Sequence, residues 1–356
     1  MNDTSLKIME PGKKRITAPA VILAAAFIAL ALLPLGVRPY TVNTMILILM
    51  YAYFSSAWNI VCGFLGELSM GHSVMVAMGA YTSTMLLMDF GLNPWAGLII
   101  GALIAGIFGF IIGYPCFKLK GPYFTLTTIA FAELLRTWFV NNETLPLIHL
   151  NTGGAMGLVL PRSGQGFLFM ESSSKTTYYY FIFIILVAVL LVSAMIKSSR
   201  FGYYLTAIKS DPDAAASLGI NVPRMKMYAM VISSVFMGIG GTFYAEYFRY
   251  IGPDRVFGLD LSIQFALIAL IGGQGTVFGP VIGAFLLIPL SETLSASLGS
   301  TISGLHLFLY GVVMIFVVLF MPKGIYGPIQ NLLTKIWNLI LNAKDRKKVT
   351  KPGGTI

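Results

Sequence analysis

Hydrophobic residues in this chain form long uninterrupted runs, separated by short polar or Gly/Pro-rich breaks. A helix needs about 20 apolar residues to cross hydrocarbon about 30 Å thick, and the runs approach that length. A transmembrane β-barrel would instead show segments of about ten residues with alternating apolar and polar positions. The pattern therefore predicts an all-α fold, a polytopic transmembrane helical bundle of about ten segments. The predicted segments are 20–37, 42–62, 73–90, 95–116, 122–140, 178–196, 227–248, 261–273, 279–293 and 305–322.

Two places in this pattern leave an alternative open. The pair 261–273 and 279–293 is short and interrupted by glycine, so it predicts either two tilted spans or one re-entrant hairpin. Near the N-terminus, the basic cluster Lys13–Arg15 and the apolar stretch Ala20–Val37 imitate a secretory signal peptide. That stretch is too long for a signal peptide and lacks a small-residue cleavage site, so we expect an uncleaved first span.

The composition supports a membrane protein and excludes a soluble globular domain. Hydrophobic residues make up 56% and charged residues 11% of the chain, and the mean hydropathy is +0.80. A soluble domain carries roughly 25% charged residues, so the charges here are too few to cover a water-facing surface. Cys62 and Cys116 lack the spacing of a metal or redox site, and we expect both thiols to be buried and inert.

The basic residues predict which side of the membrane each loop faces. The formal net charge is +10, and 18 of the 24 Lys and Arg residues lie in 1–19, 117–121, 197–226 and 323–356. Basic residues concentrate in the short cytoplasmic loops of membrane proteins. We therefore expect these loops and both termini in the cytoplasm, and no nucleic-acid partner despite the positive charge.

The chain is predicted to have three parts. Residues 1–19 are a cytoplasmic N-terminal segment, 20–322 a transmembrane domain, and 323–356 an interfacial helix with a basic tail. The apolar face within the last part fits a helix lying in the cytoplasmic membrane interface or one docked on a partner protein. The predicted outside loop, 141–177, is rich in Gly, Ser, Thr and Asn. A loop of this length either has a function of its own or is a plain connector.

The cytoplasmic loop 197–226 contains the signature of a short capped helix. Asp211 can cap the helix start, and Pro212 at the first helical position has its φ already set. Asp213 complements the helix dipole in the first turn, and Gly219 can take the left-handed conformation that ends a helix. An isolated helix of about two turns is marginal in water. The segment is therefore either a connector or a helix held by a cytoplasmic partner protein.

Part of this loop resembles the EAA loop of bacterial ABC importer permeases: Asp213, Ala214, Ala215 and Gly219 match it, with Asp in place of the usual Glu. Five further blocks resemble, in the same order, signatures of the branched-chain amino acid permeases. These blocks are Gly66–His72 with Gly79–Tyr81, Leu119–Arg136, Thr152–Gly157, Gly272–Ala284 and Met321–Gly327. Together they resemble the LivM-like branch of this LivH/LivM family, whose amide and urea permeases share much of the pattern.

The resemblance implies a type II-like ABC importer permease in a bacterial or archaeal cytoplasmic membrane, carrying branched-chain or other hydrophobic amino acids. It implies ABC ATPase subunits at the cytoplasmic face, a second homologous permease, and a periplasmic or lipid-anchored solute-binding protein as partners. The chain itself then binds no cofactor, and the partner ATPases use ATP and Mg. The predicted ATPase-coupling residues are Asp213, Ala214, Ala215 and Gly219, which match the EAA loop, together with Ser210 and Asp211 just before them.

The remaining candidates suggest a solute path rather than catalysis. The sequence has no Walker phosphate loop, no HExxH motif and no nucleophile elbow, so we expect a transport subunit without an ATPase site of its own and without a bound metal. Glu133 and Arg136 lie three apart on one helical face, where they form a structural salt bridge or face a cavity. The glycine-rich break at 272–283 either exposes helix ends to a solute or lets helices pack closely. The predicted path residues are Ser69, His72, Tyr123, Glu133, Gly272, Gly273, Gln274 and Gly275.

Two alternatives to an amino-acid ABC permease stay open from the sequence. A urea or amide ABC permease of the same family would differ in its solute. An ion-coupled secondary carrier would need no ATPase, but it would need an essential ionisable residue in mid-membrane. Glu133 is the best candidate for that residue.

Overall fold

The computed structural model describes residues 29–36, 39–119, 121–144, 150–161, 166, 170–171, 174–298, 311–312, 315, 319 and 324–328. The chain divides into two compact units. The larger unit, Val37–Tyr326, contains all the elements on which the functional argument depends. The smaller unit combines Met1–Gly36 with Gly327–Ile356, and its described part includes a short 3-10 helix at Leu33–Leu35. The predicted interfacial helix lies outside the described residues.

Helices make up most of the larger unit, which confirms the predicted fold class. A π-helix at Ile60–Leu65 directly continues the first α-helix, and two short strands pair in antiparallel fashion. The α-helices and strands, in chain order, are α1 (Pro39–Asn59), α2 (His72–Phe90), α3 (Pro94–Cys116), α4 (Pro122–Asn141), β1 (Leu158–Val159), α5 (Lys175–Ser198), α6 (Arg200–Ser210), α7 (Pro212–Ser217), α8 (Val222–Phe248), β2 (Tyr250–Ile251), α9 (Pro253–Val256), α10 (Leu259–Gly273) and α11 (Gly279–Leu298).

Within the described residues, seven helical segments are long and apolar enough to cross a membrane. The glycine-interrupted pair supplies two of them, which favours two spans over one re-entrant hairpin. The predicted spans 20–37 and 305–322 lie largely outside the described residues, and α4 is not among the seven. The seven segments are Tyr40–Leu65, His72–Phe90, Pro94–Cys116, Lys175–Ser198, Val222–Phe248, Pro253–Gly273 and Gly279–Ser297.

Helices α1 and α8 form the centre of the larger unit. Helix α1 packs against α5, α10 and α11, and α8 packs against α2 and α3. A Cβ atom at Gly79 of α2 would collide with the Gly238 carbonyl of α8, so these two backbones can approach only because glycine lacks a side chain. Phe54 and Phe265 stack with ring centroids 4.9 Å apart and fill the interface between α1 and α10. Both cysteines are buried and free, as predicted.

Alternate helix ends meet at two opposite ends of the unit. At the first, which we call the loop end, the segments 60–71, 199–222 and 273–279 come together. At the second, the Asn43 side chain of α1 accepts hydrogen bonds from Lys175 of α5 and Tyr247 of α8. Helices α1, α5 and α10 therefore end at the loop end, and α2, α8 and α11 begin there. Helix α4 also begins there, since Thr125 donates a hydrogen bond to the Leu68 carbonyl. With α4 counted between α3 and α5, successive long helices alternate in direction, as the predicted apolar segments require.

The glycine-rich part of loop 141–177 is held against the second end by backbone contacts. Strand β1 pairs with β2 in the register Leu158 with Ile251 and Val159 with Tyr250. Gly157 has a φ of +70°, and a Cβ atom there would collide with the Ile251 carbonyl. Glycine is therefore required for this approach, and the described part of the loop is more than a loose connector.

Candidate functional site

The capped helix predicted in loop 197–226 is present. The Asp211 carboxylate accepts hydrogen bonds from the backbone N–H groups of Asp213 and Ala214, at 2.9 and 3.0 Å. Helix α7 then runs from Pro212 to Ser217, and Gly219 follows with a φ of +85°. The N-cap and the left-handed glycine that the sequence predicts are both confirmed.

Helix α7 presents most of its surface to the outside of the chain. Ser210, Asp213, Ala214 and Gly219 are exposed, and within α7 only Ala215 is buried. Leu218, immediately after the helix, is 81% exposed. A single exposed leucine is ordinary on a protein surface. Here it directly follows a six-residue helix that is too short to be stable alone, which makes this surface a candidate for a partner.

Two lysines anchor the neighbours of α7 to the end of α1. Lys209 of α6 donates a hydrogen bond from Nζ to the Gly63 carbonyl at 2.8 Å. Burial lowers the pKa of Lys209, because removal from water disfavours the charged ammonium. Lys226 of α8 forms an ion pair with Glu67, in which the two side chains are only 8% and 16% exposed. Both anchors reach the same short segment that follows α1.

The π-helix explains why the Gly63 carbonyl is available. In a continuing α-helix this carbonyl would accept the N–H four residues later. Here Gly66, with a φ of +87°, ends the helix by donating its N–H to the Val61 carbonyl. The last carbonyls of a helix lack intrahelical donors. For the Gly63 carbonyl, Lys209 supplies the missing donor from a distant part of the chain.

The glycine-rich turn between α10 and α11 contacts this same helix end. Asn59 accepts a hydrogen bond from the Gly275 N–H and donates one to the Thr276 carbonyl, both at 2.8 Å. Gly272 and Gly273 are buried, and a Cβ atom at Gly272 would collide with the backbone of α11. The predicted path residues of this turn, Gly272, Gly273, Gln274 and Gly275, therefore lie at the loop end, with Gln274 exposed.

Ser69 and His72 form a buried brace between helices. His72 contacts the hydroxyl of Ser69 through Nδ1 at 2.8 Å and that of Ser233 through Nε2 at 3.0 Å. Because Ser233 donates its own proton to the Ala57 carbonyl, it can only accept from His72, so Nε2 carries the histidine proton. Both predicted path residues are fully buried and fully hydrogen-bonded, and they tie α1, α2 and α8 together.

Tyr123 and Glu133 lie on the exposed side of α4. Glu133 forms the intrahelical salt bridge with Arg136, with an Nε–Oε2 distance of 2.9 Å, and its side chain is 57% exposed. Arg136 pairs in addition with Asp254 of α9. The ionic cluster therefore joins α4 to α9 and remains on the surface of the chain.

The exposed faces of α3, α4 and α5 differ in chemistry. The middle parts of α3 and α5 expose apolar side chains, including Ile99, Leu103, Ile107, Ile184 and Leu191. The exposed face of α4 mixes apolar and polar groups along its whole length, and includes Tyr123, Leu126, Glu133, Leu134 and Thr137. Hydrocarbon suits the first two faces, whereas an ionic group on the third would be costly in lipid.

Sequence reasoning missed the three residues that connect these features: Asn59, Gly63 and Lys209. The available signals were weak. Asn59 is a polar residue inside an apolar run, and Gly63 lies three residues before a second glycine. Lys209 is one of many basic residues in its loop. Among the described residues, no group of three or more His, Cys, Asp or Glu side chains could hold a metal ion.

Within the described residues, seven candidate membrane spans, of which α1 and α8 are central, and a capped helix at one end define a polytopic membrane protein. The family described as "Branched-chain amino acid transport system / permease component" matches residues 40–318, and the chain belongs to this family. It is therefore a permease by family, in agreement with the resemblance drawn from its motifs.

Several relatives resemble the chain over most of its length. The high-affinity branched-chain amino acid transport system permease protein LivM of Escherichia coli (strain K12) is 27% identical, over 89% of this chain and 80% of the relative. LivH of the same strain is 27% identical, over 78% of this chain and 91% of the relative. The fructose import permease protein FrcC of Rhizobium meliloti is 24% identical over 75% of each. No solved structure matches the chain significantly.

Proposed function

We propose that the chain is the membrane-spanning subunit of an ABC importer that carries branched-chain or other hydrophobic amino acids. The LivM and LivH relatives support this solute class. One observation supports the mechanism above all others: α7 is capped and anchored on both sides, yet its outer surface and Leu218 are exposed. A short helix held in this way suits a surface through which another protein moves the bundle.

The partner that we assign to α7 is an ABC ATPase subunit. ATP and Mg²⁺ would be bound and used there, while this chain binds no cofactor. Leu218 offers an apolar group for a groove on the ATPase to bury, and Asp213 offers an exposed carboxylate in the first turn of α7. Closure of the ATPases would shift α7 and switch the permease between inward-open and outward-open packings.

The exposed face of α4 supports a second homologous permease as the neighbour of this chain. Lipid would leave the Glu133–Arg136–Asp254 cluster in contact with hydrocarbon, whereas a second permease and a hydrated path between the two subunits would not. Tyr123 and Glu133 would then face the solute path. The relatives include both LivM and LivH, which fits a pair of different permeases.

The distribution of basic residues supports a loop end in the cytoplasm. Five described basic residues lie at or near the loop end: Lys118, Lys197, Arg200, Lys209 and Arg224. Basic residues in short loops favour the cytoplasmic side. A periplasmic or lipid-anchored solute-binding protein would then deliver the amino acid at the opposite end, in the cytoplasmic membrane of a bacterium or archaeon.

Reconstituted transport tests this proposal. The chain would be co-expressed with the ATPases, second permease and binding protein encoded near it, and the complex placed in proteoliposomes. We expect uptake of labelled leucine that requires internal ATP and the binding protein, with little uptake of fructose or urea. Uptake that persists without ATP and collapses with the proton gradient would instead identify an ion-coupled carrier.

A substitution at Leu218 tests the docking surface itself. Leu218→Asp places a charge where the ATPase groove would be apolar, and we expect the amount of ATPase that co-purifies to fall about tenfold. Leu218→Met, which keeps an apolar side chain of similar volume, is the matched control and should retain it. Equal retention of the ATPase by both variants would contradict docking at α7.

A further inference from the structure

We infer that Lys209 is a positioning residue that transmits movement of α7 to the end of α1 through its hydrogen bond to the Gly63 carbonyl. This inference rests on the proposed coupling of α7 to an ATPase. It names the contact by which that coupling enters the helix bundle.

The two lysine anchors flank α7 along the chain. Lys209 lies before the helix and Lys226 after it, and their partners, Gly63 and Glu67, belong to one short segment. Helix α7 therefore cannot shift far while both contacts hold that segment in place. A displacement of α7 has to be passed on to the segment, or one of the contacts has to break.

The two contacts differ in how easily they break. Lys226 and Glu67 are nearly buried, so separating them would leave an unpaired charge inside the protein. Lys209 keeps more than a third of its surface exposed, and its partner is a neutral carbonyl. Its ammonium can return to water at a much smaller penalty. Lys226 is therefore the fixed anchor and Lys209 the one that makes and breaks its contact.

The Gly63 contact reaches three spans at once. Asn59, one turn before Gly63, holds the turn between α10 and α11 through Gly275 and Thr276. A Cβ atom at Gly275 would lie 3.6 Å from the Lys209 ammonium, which shows how closely this turn surrounds it. Movement of Lys209 therefore acts on α1, α10 and α11 together, and α1 is a central helix of the bundle.

The local backbone supports a mobile contact at this position. The π-helix at Ile60–Leu65 and the left-handed Gly66 leave the Gly63 carbonyl without an intrahelical donor. Short π-helical segments are frequent at functional sites. A Cβ atom at Gly63 would lie 2.6 Å from the Gly275 N–H nitrogen, so the contact also depends on glycine here.

The ratio of ATP hydrolysed to solute transported tests the inference in the reconstituted complex. Lys209→Met keeps an unbranched side chain, shorter only by the terminal ammonium nitrogen, and removes its charge. We expect ATP hydrolysis to persist while leucine uptake falls, so that the ratio rises about tenfold. Lys209→Arg should recover part of the coupling. Lys118→Met is the matched control, because Lys118 is also at the loop end and lies over the Tyr114 ring, 4.7 Å from its centroid.

Chemical restoration of the charge separates transmission from a merely structural role. Both native cysteines are buried, so a thiol reagent should react selectively with Lys209→Cys. Treatment with 2-aminoethyl methanethiosulfonate adds an ammonium group at about the same distance from the backbone as in lysine. Treatment with propyl methanethiosulfonate adds a neutral chain of similar length. We expect the first reagent alone to restore coupling. Restoration by both would overturn the role of the ammonium.

The outcomes for Lys209 and for the proposed function are distinguishable. If the wild-type complex fails to couple ATP hydrolysis to uptake, the proposed function is wrong. If the wild-type complex couples and Lys209→Met couples equally well, the role of Lys209 alone is wrong. Loss of the bound ATPase from Lys209→Met would show that the residue serves docking, and would also overturn the inference.

Discussion

The ion pair between Lys226 and Glu67 joins the start of α8 to the segment after α1. Its two side chains are 8% and 16% exposed, and the Lys226 ammonium also lies 5.8 Å from the centroid of the Phe117 ring. Desolvation offsets much of the attraction in a buried pair. Removal of one partner nevertheless costs far more than the pair contributes, because the remaining charge stays buried.

We expect Lys226→Met to lower the free energy of unfolding by about 3 kcal/mol, because Glu67 is left buried without its partner. Lys226→Met combined with Glu67→Leu should recover most of that loss. Thermal unfolding of the detergent-solubilised protein, followed by tryptophan fluorescence, measures both. Arg224→Met, at an exposed position of the same helix, is the control. If Lys226→Met alone were as stable as the wild type, Lys226 and Glu67 would not form a buried pair that the fold depends on.

A histidine such as His72 can be read from the sequence either as part of a solute path or as a buried structural residue. A histidine beside Ser69 at the start of a span is compatible with a solute path. In the folded chain both ring nitrogens are hydrogen-bonded to buried hydroxyls, and neither residue is exposed. The two residues brace the bundle in this conformation, and their contact with a solute stays a prediction.

At the scale of elements, α7 combines strong local signals with little stability of its own. Its cap satisfies two backbone N–H groups through the Asp211 carboxylate. Six residues form too few intrahelical hydrogen bonds to offset the loss of chain entropy. The cap therefore controls how much of the time this helix is formed when no partner is bound.

Asp211→Ala removes this cap, and we expect it to destabilise α7 by about 1 kcal/mol. The amide hydrogens of residues 213–217 should then exchange about fivefold faster, since about 1.4 kcal/mol corresponds to a tenfold change. Hydrogen exchange followed by mass spectrometry measures this. Asp211→Asn, which caps comparably, should exchange like the wild type. Unchanged exchange in Asp211→Ala would mean that packing, rather than the cap, holds the helix.

At the scale of the whole molecule, the alternation of helix directions and the charge distribution bear on orientation. The structure brings the described basic residues of loops 117–121 and 197–226 to one end, and the positive-inside tendency assigns that end to the cytoplasm. The β1–β2 pair lies at the second end, together with the glycine-rich residues Thr152–Gly157 that precede β1.

Cysteine labelling on intact spheroplasts tests this orientation. With an impermeant maleimide, we expect Met156→Cys to react from outside and Ser217→Cys to react only after permeabilisation. Both positions are exposed, and the native cysteines are buried, so they should not contribute. Labelling of Ser217→Cys in intact spheroplasts, with protection of Met156→Cys, would show the reverse orientation.

Much of the fold could be predicted because its causes are local. The length of an apolar run decides whether a helix can cross a membrane. The residues Asp211, Pro212 and Gly219 decide where a helix starts and ends through contacts with their immediate neighbours. The fold class, the alternating spans and the capped helix were accessible in this way. The predicted path residues were accessible only as candidates, since a polar residue in an apolar run does not reveal what it faces.

By itself, the sequence determined that this chain is a bundle of membrane-spanning helices with a capped helix in a basic loop. The tertiary structure decided which polar groups meet. Lys209 and Gly63 are 146 residues apart, and Asn59 and Gly275 are 216 apart, so their hydrogen bonds depend on how distant helices pack. It also decided that α4 exposes an ionic cluster while α3 and α5 expose apolar side chains. Apolar runs and caps depend on neighbouring residues, whereas these contacts depend on the packed arrangement of the whole chain.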